Sequence, residues 1–404
     1  MIASPPLKSE LHPGSPDLAT QLGELVAALE AAVARREFGE FYRLFRASEL
    51  PFLPVAYEGE SRPLFHQCFT ALHQLGGVSP ATALAIENHF YVSATIATFP
   101  TDHDPVLDKR RHALLAAISN GRWLVANTNS KVHGRALGTI GTVARREGDG
   151  FRITGQAAYT SLATQGDLLV FITEIEGEGP AVFAIAPMQR NPGIEIGSYL
   201  FPSAMLDSDT RRITFHDLFV PEEGLIAGGK SPSTSALFAF EMAWHQLLIP
   251  ALYLGAAARA IEEVRRFLRS TLGRDKRPLA ELDGMVIDVG RLALDYESAR
   301  SVVRYAGDEL GAVRRLPRDA EQLERALYLA SGAKYAGTRC AEQVVAAARR
   351  IIGARAFADG HPLERLSGEV IFGPLGPEVS AVIERRYGRQ ALADRPFVGV
   401  SAES

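Results

Sequence analysis

The chain has 404 residues, 47% hydrophobic and 22% charged, with a formal net charge of −4. That is globular composition, with room for two or three packed layers. No basic block suited to nucleic acid or an anionic membrane surface occurs, and no apolar run reaches the length of a bilayer span.

In chain order, residues 1–17 are rich in Pro and Ser. They lack a basic segment followed by an apolar one, so they read as a disordered leader rather than a signal peptide. Residues 18–121 read as a helical bundle. Leu22, Leu25, Val26 and Leu29 recur at helical spacing, as do Phe38, Phe41, Leu44 and Phe45. Pro51 and Pro54 interrupt this pattern. A helix over 65–75 is expected to stop at Gly76-Gly77, and Pro80 opens another through Val92.

Over residues 122–228 the period changes to two. Gly148-Asp-Gly150 marks a hairpin, and strands are expected at 151–154, 167–173, 181–185 and 212–215. About seven short strands would make a compact, barrel-like β domain. Residues 229–395 return to long helices, near 238–267, 282–308 and 323–352, as in an antiparallel four-helix bundle. Residues 396–404 form a tail. The expected fold is mainly α with a central β domain. It is not a βαβ alternation, and no GxGxxG turn is present. Cys68 and Cys340 are far apart and lack metal-ligand spacing. This argues against a zinc module or a disulfide framework and for a reducing, cytoplasmic setting.

Several segments in this order resemble motifs of the acyl-CoA dehydrogenase superfamily. Gly148-Asp-Gly-Phe-Arg-Ile-Thr-Gly155 is similar to that family's hairpin, and Gly155-Gln-Ala-Ala-Tyr-Thr-Ser-Leu-Ala163 to the strand that follows it. Asp167, Ser208 and Phe215-His-Asp-Leu-Phe-Val-Pro221 match the later β-domain motifs. Tyr253-Leu-Gly255 resembles the first long helix of the last domain, and Pro362-Leu-Glu-Arg-Leu366 its C-terminal segment. The resemblance covers roughly residues 41–393.

It implies an FAD cofactor. Tyr159, Thr160 and Ser161 would line the flavin ring, with Thr128 and Asn129 near its pyrimidine edge. Hydroxyl and amide donors there would favour the reduced, more anionic ring. Where the family has Thr-Glu-Pro, this chain has Asn129-Ser-Lys131. Arg269, with Arg274 as a rival, would meet the pyrophosphate, and Gly353 would allow close backbone approach from a neighbouring subunit. Taken without the resemblance, Tyr159–Ser161 is a strand end, Arg269 a solvated helix end and Gly353 a helix stop.

The family's C-terminal base slot falls on Pro377, with Glu378 beside it, and proline cannot be a base. A minority slot, ten residues before Gly255, holds His245, with Glu241 one turn earlier on the same helix face. A neutral imidazole is a competent base, and Glu241 could orient it. The plain alternative is a core histidine packed beside Trp244. His89 lies on a helix that borders the family's substrate pocket, and a core role is its alternative too.

Three functions follow. One is dehydrogenation of an acyl thioester carried on CoA or a carrier protein, by a homodimer or homotetramer passing electrons to an acceptor. The second is a flavin-dependent monooxygenase of the same fold, fed by a reductase partner. In that case His89, Asn129, Ser161 and His245 would tip a dry pocket. The third is a non-catalytic member of the fold.

Overall fold

The computed structural model describes residues 17–101, 104–128, 140–229, 231–316 and 318–393. The expected leader (except Asp17), the tail and Asn129 lie outside these residues. The first helical layer comprises α1 (Leu18–Arg35), α2 (Gly39–Ala47), the short α3 (Leu53–Ala56), α4 (Ser61–Gly76), α5 (Pro80–Thr98) and α6 (Pro105–Gly121). Its starts follow from local chemistry. The Asp17 carboxylate accepts from the amides of Ala19 and Thr20. The Ser79 hydroxyl caps α5 ahead of Pro80, and Asp104 caps α6 ahead of Pro105.

The middle layer is one eight-stranded sheet built from β1 (Val125–Thr128), β2 (Thr142–Glu147), β3 (Gly150–Thr160), β4 (Leu168–Ile175), β5 (Gly179–Ile185), β6 (Ile194–Tyr199), β7 (Arg211–Pro221) and β8 (Leu225–Ala227). The strand order is β6-β7-β3-β2-β4-β5-β8, with β1 paired in parallel to β4. Gly148 has φ +59 in the β2–β3 turn, as the hairpin pattern requires. Among the described residues the strands number eight rather than seven, and β1 and β8 are too short to show a period. Phe151, Phe171, Phe183 and Phe215 fill the sheet's own core, with Phe171 and Phe215 stacked at 4.8 Å.

The last layer holds α7 (Pro232–Ser270), α8 (Asp283–Leu310), α9 (Ala320–Ile352), α10 (Pro362–Glu369) and α11 (Ser380–Ala391). Its hydrophobic core is continuous with that of the first layer. The reason lies in glycine. A Cβ on Gly255 of α7 would lie 2.0 Å from the His73 carbonyl oxygen, and one on Gly76 of α4 would lie 2.1 Å from the Leu252 carbonyl oxygen. The two helices therefore cross backbone to backbone. Gly76 and Gly77 were expected as a helix stop. The helix does stop there, with Gly77 as its cap at an ordinary φ of −65, so it is the crossing and not the stop that requires Gly76 to be glycine. Among the described residues, no helix is long and apolar enough to cross a membrane.

Candidate functional site

Helix α5 is almost wholly buried, and it carries polar side chains at Glu87, Asn88, His89 and Tyr91. Glu87 and Tyr91 are one turn apart and share a face; His89 lies about 200° around from Glu87. Helix α7 brings Glu241 and His245, also one turn apart, against them. Strand β1 brings Asn127 between the two helices.

These five side chains form one network. His245 Nδ1 lies 3.0 Å from Glu87 Oε1, and the His245 and Tyr91 rings sit 4.8 Å apart. The Tyr91 hydroxyl donates to Asn127 Oδ1 at 2.7 Å, and Asn127 Nδ2 donates to Glu241 Oε1 at 3.4 Å. Only His245 keeps noticeable access to solvent, at 14% of its side chain; Glu87 has none. Burial raises the Glu87 carboxyl above its ordinary pKa, against the pull of His245. Burial also pushes the Tyr91 phenol well up, and the charges of Glu241 and Glu87 add to that. The second carboxylate oxygen of Glu87, Oε2, is buried without a hydrogen-bond partner.

Thus the partner of His245 Nδ1 is Glu87, not Glu241. Sharing a helix face with His245 places Glu241 near it, but the imidazole Nδ1 reaches across to α5 while Glu241 engages Asn127. Glu87, Tyr91 and Asn127 escaped the sequence reading. Their signal was a polar pair at helical spacing inside an otherwise apolar helix.

Strand geometry sets what lies beside this network. Asn127 and Ser161 form an isolated antiparallel bridge, so the network abuts the end of β3. The β3–β7 register shifts between Ala157 and Thr160, and Tyr159 is held at φ +62. The residue is 44% exposed and its ring stacks on Phe201 at 6.0 Å, and Phe201 meets Phe372 edge-on at 5.2 Å. The Ser161 hydroxyl shares a hydrogen bond with Thr210 at 2.8 Å. Thr160 Oγ1 is buried without a partner. Thr128 Oγ1 donates to the Ala158 carbonyl at 3.2 Å. An orphan hydroxyl, a second hydroxyl and an aromatic shelf together suit a flat, hydrogen-bonding ring system.

The other expected site residues lie elsewhere. His89 is fully buried. Its Nε2 meets the Pro51 carbonyl at 2.7 Å and its Nδ1 accepts from the Val125 amide at 3.0 Å. Both nitrogens are committed to backbone, so it ties α5 to β1 rather than bordering a pocket. Trp244 is wholly buried and donates to Thr98 Oγ1 at 3.2 Å, which makes it core. Glu378 is bound through its carboxylate to Arg386, and its carbonyl accepts from Lys334 Nζ at 2.7 Å. That carboxylate is therefore tied to α11. Arg269 is exposed in the last turn of α7, and Arg274 is exposed just past its end. The Arg355 guanidinium lies over the Phe267 ring at 5.4 Å, so the turn after α9 shares that end of the bundle. Gly353 ends α9 at φ +73, with open space where a Cβ would lie.

Residues 239–371 match the family model of the acyl-CoA dehydrogenase C-terminal domain. The chain is 25% identical over 362 residues to isobutylamine N-hydroxylase of Streptomyces viridifaciens, covering 88% of both chains. Among solved structures, it is similar to TdsC of Paenibacillus sp. A11-2 in complex with FMN and indole. That match has a TM-score of 0.79 and 19% identity, over 94% of this chain and 98% of the other. It is also similar to butyryl-CoA dehydrogenase of Megasphaera elsdenii, with a TM-score of 0.74 and 14% identity, over 94% of this chain and 100% of the other.

Proposed function

From this chain's membership of the acyl-CoA dehydrogenase superfamily, as a divergent member, we propose that it is a flavin-dependent oxygenase. The observation that carries this reading is the buried network of Tyr91, Asn127, Glu241, Glu87 and His245 beside Ser161. Removal of an α-proton from an acyl thioester calls for one poised base beside an apolar acyl tunnel. Here the usual base segment offers Pro377 and a Glu378 bound to Arg386. What faces the end of β3 instead is a cluster of donors and acceptors shielded from bulk water.

The flavin would lie with its ring on Tyr159 and its polar edge toward Thr160, Ser161 and Thr128. When bound and reduced, a flavin supplies two electrons to dioxygen. The chain's own residues would bind, orient and exclude water. The Thr160 hydroxyl offers a donor that no protein group uses. Tyr91 and Asn127 hold each other in fixed orientation and would present preorganised dipoles. The His245–Glu87 pair can accept or return one proton, and His245 connects it to solvent. The electrons would come from a reductase partner. The two similar proteins with FMN or N-hydroxylase in their names favour this reading.

FMN would be held by these residues alone. FAD would need a further site for its adenine half, for which the end of the bundle carrying Arg269, Arg274 and Gly353 is the place we propose. We propose a homodimer or homotetramer, on the apolar side chains that α8 exposes at Val286, Ile287 and Leu294.

A second reading is dehydrogenation of a CoA- or carrier-bound acyl thioester. One observation favours it: an imidazole whose Nδ1 meets a buried carboxylate is a competent base. One experiment separates the two. The purified protein is loaded with flavin and mixed anaerobically with a short-chain acyl-CoA. Unchanged flavin absorbance, together with oxygen uptake when reduced flavin is supplied, supports the oxygenase. Bleaching by the thioester overturns it.

A further inference from the structure

We infer that Glu87 is the positioning residue of His245 and the store of the proton that His245 delivers: His245 Nε2 releases and regains the proton, and Glu87 gives or takes the proton on Nδ1 behind it. The use of that proton in the reaction rests on the oxygenase reading; the store itself does not.

The geometry is one-sided. Glu87 on α5 and His245 on α7 meet across the helix contact, with Oε1 3.0 Å from Nδ1. The Glu87 side chain has no access to solvent, whereas His245 keeps 14%. The imidazole therefore stands between the carboxyl and the accessible side. Its two ring nitrogens diverge, so Nε2 faces away from Glu87. Among the described residues Nε2 has no hydrogen-bond partner, and it is not sealed off from solvent. His245 is also the only group among the described residues that is bonded to the Glu87 carboxyl, because Oε2 has no partner. A proton that reaches or leaves Glu87 passes through Nδ1.

The surrounding groups bring no positive charge. From α5, Tyr91 lies against the His245 ring and donates its hydroxyl to Asn127 of β1. From α7, Glu241 is engaged by Asn127, and the Tyr253 phenol is raised by burial and then by the charges of Glu369 and Glu87. Burial favours the neutral form of Glu87, and an ion pair sealed here would have to overcome the desolvation of its carboxylate. The two groups therefore titrate as a unit. In one state the carboxylate accepts from Nδ1–H and Nε2 is bare. With one proton more, the carboxyl donates to Nδ1 and Nε2 carries the hydrogen. The imidazole changes tautomer, not charge.

Oxygenation puts one atom of dioxygen on the substrate and sends the other out as water, with two electrons from the reduced flavin. The departing atom leaves as hydroxide unless a proton reaches it. From the protonated pair, the Nε2–H bond breaks and its electron pair stays on nitrogen. The Glu87 O–H proton moves to Nδ1, and the negative charge ends on the buried carboxylate, one ring's width from Nε2. A proton from water at Nε2 restores the pair.

The test is nitrogen-15 NMR of histidine-labelled protein, flavin-free and flavin-loaded, across about pH 5 to 8. The His245 signals are those lost in His245→Gln. Wild-type His245 should show one protonated and one bare ring nitrogen at both ends of the range, with the two exchanging identity between them. Glu87→Gln keeps the shape but cannot hold the proton, so its His245 should become an ordinary imidazolium at the acid end. If that variant does not fold, infrared difference spectra of the wild type carry the test: a carboxylic-acid band should rise in step with the change of tautomer. A wild-type imidazolium at the acid end, a tautomer that stays fixed throughout, or a carboxylic-acid band out of step overturns the inference and leaves the oxygenase. The exchange of tautomers without oxygen uptake from reduced flavin upholds the proton store and overturns the oxygenase.

Discussion

The α4–α7 crossing makes a sharp prediction. In Gly255→Ala, the new methyl would start 2.0 Å from the His73 carbonyl oxygen and 2.8 Å from the Gly77 amide nitrogen, where ordinary contact begins at 3.4 Å. The helices must part by roughly 1.4 Å along that line, since neither obstacle is a flexible side chain. A gap approaching 1 Å between packed surfaces forfeits a quarter to a half of their dispersion contact, and overpacking of this kind costs about 3 kcal/mol. Better helix propensity returns about 1 kcal/mol, leaving a net loss of about 2 kcal/mol. Gly23→Ala is the control. It sits in α1 with nothing within 4 Å of its would-be Cβ, so only the propensity gain of about 1 kcal/mol remains. Urea unfolding followed by far-ultraviolet circular dichroism should show the two midpoints moving in opposite directions. A Gly255→Ala midpoint at or above that of the parent protein would refute the backbone-contact argument.

Burial lowers His73 and His89 to about 4 in the folded chain. An unfolded histidine titrates near 6.5, so the unfolded state takes up these protons first. Stability should be complete above about 6.5 and fall as pH drops toward 4; His89→Gln should flatten that decline in denaturation midpoints taken across this range. Lys334 is lowered to about 8 by burial, against an unfolded value near 10.4. The unfolded chain then holds the extra proton between those values. Stability should therefore rise with pH across that window, and Lys334→Met should lack the rise. Thr160→Val removes a hydroxyl with no partner. Its unfolding free energy should stay within about 0.5 kcal/mol of the parent, while flavin affinity in a fluorescence titration falls about tenfold. Unchanged affinity would remove Thr160 from the flavin site.

The layer order was legible because each layer has its own period. Helical spacing in residues 18–121, alternation in β3 and β7, and long apolar helices after Ser231 all correspond to elements of the fold. What escaped was set by contacts between layers. β8 is three residues long, and it forms because β5 offers an edge at Val182 and Phe183. Gly76 ends α4 as its position suggested, but its lack of a side chain serves the crossing with α7. Only the position of Leu252 reveals that second role.

The candidate site divides along the same line. His245 could be counted out from Gly255 because one helix fixes that distance. Its hydrogen-bond partner could not, because Glu87 and His245 are 158 residues apart and meet only through the packing of α5 on α7. The expected partner, Glu241, was the nearest carboxylate on the same helix face. A side chain whose own helix neighbour is already engaged by β1, as Glu241 is by Asn127, pairs instead with what the facing helix presents. The same packing turns His89 toward backbone and Glu87 toward the network, although they are two residues apart. A helix buried on every side has no solvent face to reveal which of its polar groups is structural. What distinguishes them here is satisfaction: both nitrogens of His89 are used, while Glu87 keeps one oxygen in reserve. That reserve leaves Glu87, rather than the histidine two residues on, with an acceptor on α5 still open to a further hydrogen bond.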